Sequence, residues 1–411
     1  MFDPGLNGIM ERTTNLDQGS FLPPVKRKKT VKELLMLKHQ KWNWSQEGND
    51  MEYQLRCVNP ETFGRDCSPC ILSPDDSPSL FPPAYPESVH TLQHMQYPAL
   101  QEQGAPTAEA GMSLFHWQIQ VEARRVGEVS PEVLNMQDPD GDTCLHIAVA
   151  QGRRALAYVF AAEMARCGTL DMKEHNGQTA LQIATVTNQH LIVHDLLTFG
   201  AQVNTCDSWG RSPLHICAEK GHFFTLQTIW RTTIDRGQPV DIEMINYNGL
   251  TPLHVAVLSH NAVVKQLSCL ENPHSSTAEG LMQRKWMFVE CIKTLFLMGA
   301  SLTTRDLKSG RTCFHMASEE ANMELLQVIL NQPLSLPIVN FKTFSGNTAL
   351  HIVCSLHSNR SQVEAVKLLM RNGADPGSRN FENDLPAQLV PEGVTGKKVR
   401  QILKGNMLKL K

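Results

Sequence analysis

No stretch of the 411-residue chain approaches the roughly 20 consecutive apolar residues of a membrane-spanning helix, and its N-terminus lacks the apolar core of a secretion signal. The chain therefore reads as intracellular, with no membrane partner. Charge of one sign is missing too. The balance of 38 Lys and Arg against 41 Asp and Glu leaves a formal net charge of −3, too weak a field to attract nucleic acid. Any charge effect must be local. Eleven cysteines, an odd number scattered through helical positions, do not make a disulfide framework and fit reduced, mostly buried thiols. No Ser-His-Asp order, phosphate-cradling loop or paired carboxylate stands in a supporting context, so no catalysis is expected and no cofactor is implied.

What is present is a repeat. Asp140-Gly141-Asp142-Thr143-Cys144-Leu145-His146-Ile147-Ala148 recurs as Gly177-Gln178-Thr179-Ala180-Leu181-Gln182-Ile183-Ala184, then around Gly210, Gly249, Gly310 and Gly346. The steps between these glycines are 36, 33, 39, 61 and 36 residues. A period near 33 with a T-P-L-H-x-A core is the ankyrin signature. Glycine supplies the positive φ of a tight turn, and the Thr or Ser that follows caps a helix. Leu and the next Ile or Val face the neighbouring repeat, and the small residue after them lets helices approach. One repeat cannot bury its apolar face alone, so the copies must stack. The expected fold is an all-α ankyrin solenoid of six clear repeats and a degenerate seventh, at Asn383 to Val390, where Asn replaces Gly and Gln388 replaces His. The five motif histidines, His146, His215, His254, His315 and His351, recur at one structural position and read as hydrogen-bonding groups, not metal ligands. Cys144 and Cys313 at the Pro position, and Cys217 at an Ala position, read as core fillers.

The boundaries follow from composition. Residues 1–111 hold 12 of the 23 prolines and little apolar periodicity, which predicts disorder. Residues 112–137 form a capping segment, with a helix whose Leu114, Trp117 and Val121 share one face. The repeats run over 138–391. The 61-residue step, with no motif between, predicts a loop insertion at about 271–286. Residues 392–411 form a basic C-terminal tail containing Lys397, Lys398, Arg400, Lys404, Lys409 and Lys411. Within 1–111 one island stands out, Val25 to Trp42, where a basic lead-in precedes a short amphipathic helix. Cys67, Cys70, His90 and His94 have zinc-like pieces, but their spacing is too long for a finger, and no metal site is expected.

The first two repeats carry a more specific likeness. Asp140-Gly141-Asp142-Thr143 with Leu145-His146-Ile147-Ala148 resembles D-G-D-[ST]-x-L-H-x-A, and Ala184-Thr185-Val186-Thr187-Asn188-Gln189 is similar to a V-x-x-N-Q run, both found in the inhibitors of NF-κB, the IκB proteins. The resemblance spans about residues 112–391. Cytoplasmic members carry a D-S-G-x-x-S phosphodegron and an acidic tail. Here the nearest stretch is Asp75-Asp76-Ser77-Pro78-Ser79, and the tail is basic. Both departures resemble the nuclear, atypical branch. Val25 to Leu35 is also similar to the OCA motif of POU-factor coactivators, V-R-V-K-x-P-V-K-E-L-L, through Lys26, Lys28, Val31, Lys32, Glu33, Leu34 and Leu35, with Arg27 and Thr30 departing from it.

The resemblance implies a nuclear regulator, with a cytoplasmic fraction, that binds Rel-homology dimers, above all homodimers of subunits lacking a transactivation domain. It implies POU-type factors as further partners and DNA only indirectly. The contact residues would lie on the turn tips: Lys173, Glu174, His175, Asp207, Ser208, Trp209, Asn246, Tyr247, Asn248, Asp306, Lys308 and Lys342. Trp209 and Tyr247 would be the anchors, unless Trp209 merely packs on the neighbouring turn. Lys26, Arg27, Lys28 and Lys29 read as a nuclear-import signal. The competing reading is a cytosolic ankyrin adaptor in signalling or ubiquitin ligation.

Overall fold

The computed structural model describes residues 113–407 apart from 128, 271–274, 334–335 and 358. The import cluster, the OCA-like stretch, the C-x-x-C pair and the expected disorder of 1–111 lie outside the described residues. Fifteen α-helices follow one another among the described residues: α1 (Leu114–Val126), α2 (Pro131–Leu134), α3 (Cys144–Ala150), α4 (Arg154–Arg166), α5 (Ala180–Val186), α6 (His190–Thr198), α7 (Pro213–Lys220), α8 (Phe223–Asp235), α9 (Pro252–Ser268), α10 (Ser276–Met298), α11 (Cys313–Glu319), α12 (Met323–Leu330), α13 (Ala349–Cys354), α14 (Gln362–Arg371) and α15 (Val394–Met407). No described helix is long and apolar enough to cross a membrane.

The pairs form two layers. First helices pack in the order α3, α5, α7, α9, α11, α13, and second helices in the order α4, α6, α8, α10. Leu145, Leu181, Leu214, Leu253, Phe314 and Leu350, one from each motif, are all buried in one continuous core.

Five of the six first helices begin at a lock between a hydroxyl residue and the imidazole three residues on. His215 Nδ1 lies 2.8 Å from Ser212 Oγ and accepts the Ser212 backbone N–H at 3.2 Å. The same pair forms at Thr143–His146, Thr251–His254, Thr312–His315 and Thr348–His351. With Nδ1 accepting, Nε2 carries the proton. It donates to the next repeat: His215 to Leu250 O at 3.0 Å, His254 to Thr304 O at 3.2 Å, His315 to Phe341 O at 2.9 Å and His351 to Asp384 O at 3.2 Å. In the second repeat Gln182 does both jobs, its Oε1 accepting from Thr179 N and its Nε2 donating to Arg211 O.

Three expectations are corrected. From Ser276 on the 271–286 insertion is helix and not loop: α10 runs 23 residues from there, and α9 before it runs 17, where the first helices of the other clear repeats run only 6 to 8. The two lengthened helices pack along each other as a hairpin, with Ala278 fully buried between elements. Ser275 caps α10 by accepting the Ala278 N–H, and Glu279 sits in the first turn, a start signal visible in the sequence. On α1, the buried side is not Leu114 and Trp117, which are exposed; Phe115, Ile119 and Val126 face inward, and Phe115 meets Tyr158 edge-on while lying under the Arg154 guanidinium. Cys144 is exposed, whereas Cys217 and Cys313 are buried. In the first repeat no earlier repeat covers that position.

The degenerate seventh repeat keeps the tip and loses the first helix. Asn383 takes the left-handed φ of 66° in place of glycine, and Gln388 Oε1 accepts the Leu385 N–H as the histidines do elsewhere. The basic segment after it is helical from Val394 to Met407. It is α15, packed on α14 through Val399 and Leu403.

Two outcomes test this packing. Leu253→Asp places an unpaired carboxylate in the inter-repeat core and should cost about 4 kcal/mol or more, read as a lower thermal midpoint; an unchanged melt would contradict the packing. Burial holds His146 and His315 down at about 4 and lowers His215, His254 and His351, against about 6.5 in the unfolded chain. Below pH 6.5 the unfolded chain takes up protons that the fold refuses, so stability is full above that pH and falls as pH drops toward 4. By pH 5, His146 and His315 should each cost roughly 1–2 kcal/mol. Equal denaturation midpoints at pH 7 and pH 5 would contradict neutral, buried imidazoles.

A candidate protein-binding surface at the repeat tips

The tips are built around a buried acceptor. Asp207 Oδ1 accepts the N–H groups of Trp209 at 3.0 Å and Arg211 at 2.8 Å, closing the turn from the side-chain side. Glu174, Asn246 and Asp306 close their turns in the same way. These four, expected as contact residues, are buried and act as turn closures instead. A polar group that already satisfies two backbone donors has little left to offer a partner. Burial opposes ionisation of Asp306, but the N–H groups of Arg311 and Ser309 and the Arg311 guanidinium outweigh it and hold the carboxyl below its usual range.

Two tips are tied down to their helices by an arginine. Arg211 reaches Asp207 Oδ2 at 2.9 Å and Glu219 Oε2 at 2.8 Å. Arg311 repeats the pattern with Asp306 and Glu319. Trp209 lies with its ring 4.9 Å from the Arg211 guanidinium and is still half exposed. It therefore packs on its own turn and also presents a face outward.

The residue directly after each buried acceptor points out. In order these are His175, Ser208, Tyr247, Leu307, Phe344 and Phe381, all exposed. Their backbone N–H groups donate to the tip before: Tyr247 to Trp209 O at 3.2 Å, Leu307 to Gly249 O at 3.1 Å, Phe344 to Ser309 O at 2.9 Å and Phe381 to Ser345 O at 3.1 Å. This ladder fixes the tips in a row. The glycines serve the row as well as the turn. At Gly210, φ is 73° and an added Cβ would lie 2.6 Å from the Tyr247 ring; at Gly310 the Phe344 ring occupies the same space.

The row changes chemistry along its length. His175 and Ser208 are polar. Tyr247, Leu307, Phe344 and Phe381 are apolar or aromatic and 76%, 65%, 55% and 75% exposed. Arg305, Lys308 and Arg379 stand exposed beside them, with Glu382 as an exposed acid. A rigid file of exposed aromatics among cations is the composition of a protein-binding patch. The expected contact residues Lys173, His175, Ser208, Trp209, Tyr247, Asn248 and Lys308 are all exposed, though Lys173 Nζ is held by Cys206 O and Lys308 Nζ by Asn248 Oδ1. Lys342 is half-buried and bonds Arg379 O. Leu307, Phe344 and Phe381 escape a sequence reading that picks polar tip residues. Counting one residue past each turn acceptor finds them. No group of described His, Cys, Asp or Glu could hold a metal ion.

Comparison with known proteins agrees with this architecture. The ankyrin-repeats family, in three copies, matches residues 187–276 and 284–380. NF-kappa-B inhibitor zeta of Homo sapiens is 52% identical over 74% of this chain and 42% of its own length. NF-kappa-B inhibitor delta of Mus musculus is 38% identical over 67% of this chain and 81% of its own. The crystal structure of the ankyrin repeat domain of Bcl-3, described as a unique member of the IkappaB protein family, superposes with a TM-score of 0.51 at 30% identity, covering 65% of this chain and all of that one. The chain thus spans less than half the length of the inhibitor zeta proteins that it matches.

Replacing Gly210 by Ala should lower stability by roughly 1–3 kcal/mol, from a strained positive φ and the displaced Tyr247 ring. Chemical denaturation measures it, and a neutral result would contradict the ladder.

Proposed function

The chain belongs to the IκB family of ankyrin-repeat proteins, the NF-kappa-B inhibitors, and we propose that it regulates NF-κB-dependent transcription by binding Rel-homology dimers through its tips. The observation that carries this reading is the file from Tyr247 to Phe381. It offers four exposed apolar side chains at repeat spacing on a hydrogen-bonded ladder, so little order has to be gained on binding. Trp209 extends the file toward the first repeats. The action is by binding alone, with no catalysis and no cofactor.

Finer features of the reading rest on sequence. The favoured dimers are homodimers of subunits without a transactivation domain. Lys26, Arg27, Lys28 and Lys29 serve nuclear entry, with a fraction of the protein in the cytoplasm. The OCA-like residues Val31 to Leu35 offer a second contact, to POU-type factors. DNA is met only through the bound dimer. Exposed Lys397, Lys398 and Lys404 on α15 favour tolerance of nearby phosphates, whereas an acidic tail would repel them.

The full chain and its Tyr247→Ala, Leu307→Ala, Phe344→Ala, Phe381→Ala variant should be titrated against purified Rel-homology homodimers. Loss of four exposed apolar groups should weaken binding at least tenfold while leaving the thermal midpoint within a few degrees, because none is core. Unchanged affinity would remove the tips from the interface. Absence of binding by the parent chain would overturn the partner class.

A further inference from the structure

The same tips fit a second occupant, and it is part of this chain. From Asp66 to Ala123 there is no Lys or Arg, while Asp66, Asp75, Asp76, Glu87, Glu102, Glu109 and Glu122 are acidic. Within that stretch, Asp75-Asp76-Ser77-Pro78-Ser79-Leu80-Phe81-Pro82-Pro83-Ala84-Tyr85-Pro86-Glu87 sets two aromatics and a leucine among four prolines, with acids at both ends. It lies outside the described residues, so the case rests on its composition and on the surface that would receive it. We propose that residues 75–87 dock in cis on the tips of the fourth and fifth repeats, at Tyr247 and Leu307, with Arg305 and Lys308 facing the acids.

Three things select that place. The first is chemistry. Proline-rich segments bind against exposed aromatic and apolar side chains, and they lose little entropy because their backbone is already restricted. Tyr247 and Leu307 are an adjacent aromatic and aliphatic pair, 76% and 65% exposed, and together they stand further clear of the turns than Leu307 with Phe344 at 55%. The second is charge. Asp306, the acid of this tip, is buried and spoken for by Arg311, so Arg305 and Lys308 are the charges that it presents outward. At the first tips the outward residues are His175 and Ser208, and the half-exposed Trp209 beside them is engaged on its own turn by the Arg211 guanidinium.

The third is reach. Residues 88–112 connect the segment to Ser113 at the head of α1, which packs on the first repeat. A connection of about 25 residues spans at most ~90 Å, and a random chain of that length has an end-to-end distance of about 28 Å. Helices pack 8–10 Å apart, so the fourth and fifth tips lie roughly 25–40 Å along the stack from the first repeat. The sixth and seventh lie roughly 40–60 Å away. Effective concentration peaks where span and chain length match, which favours Tyr247 and Leu307 over Phe344 and Phe381.

Docking in cis would cover part of the surface assigned above to the Rel-homology dimer, and that competition rests on the earlier reading; the docking itself does not. The test uses the full chain with the photo-reactive residue p-benzoylphenylalanine in place of Leu307, irradiated at low concentration without any partner and mapped by mass spectrometry. The expected product is monomeric, with its cross-link inside residues 75–87. A variant with Asp75→Lys, Asp76→Lys and Glu87→Lys should reduce the yield at least fivefold. No cross-link to 75–87, a cross-link only between two chains, or a yield indifferent to charge reversal would each overturn the proposal. Adding the dimer separates the two claims. A cis cross-link that forms alone but is not reduced by bound dimer leaves the docking standing and removes the shared surface.

Discussion

A neutral imidazole with two fixed bonds is the constraint on which this stack depends. The backbone N–H of a Ser or Thr binds Nδ1 and so forces the proton onto Nε2, where it must find an acceptor. That acceptor is a carbonyl of the following repeat. One side chain thus starts a helix, fixes its own tautomer and sets the distance to the next repeat. Because the ring is buried, charging it would break the bond at Nδ1 and place a cation in the core. Stacking, pH response and tip spacing therefore share one cause.

The tips inherit their order from that constraint. Once repeats are held at fixed spacing, each tip's carbonyl meets the N–H of the next tip, and the turn glycine leaves room for the neighbour's side chain. The residue that lies over the glycine has its Cβ side held and its far side in solvent. That is why Tyr247 and Phe381 are both well ordered by their surroundings and largely exposed. A surface made this way is rigid without being part of the core, which suits recognition of a folded partner.

The repeated motif made the fold legible. Glycine, hydroxyl, leucine and histidine each stand for a bond or a contact that recurs, and Asn383 and Gln388 could be read as their substitutes because asparagine tolerates positive φ and glutamine can accept at the same place. The family was legible from the first two repeats. A long gap without the motif looks like a loop, although Ser275, Glu279 and the apolar positions of α10 spell a helix. On α1 the amphipathic pattern admitted two faces, and only the contact of Phe115 with Tyr158 and Arg154 decides between them. At the tips, the anchors Trp209 and Tyr247 are exposed as their aromatic character suggests, yet the polar Asp207 and Asp306 beside them are consumed by their own turns. Whether a polar residue binds its own backbone or a partner depends on local geometry that spacing alone does not express.

The central claim is that the tips of the later repeats form the binding face. Hydrogen–deuterium exchange of the full chain, with and without a Rel-homology homodimer, addresses it directly. The account predicts slowed exchange at the tip amides around Tyr247, Leu307, Phe344 and Phe381, and little change along the far side of the α9–α10 hairpin. Protection confined to that hairpin or to α15, with the tips unchanged, would contradict it.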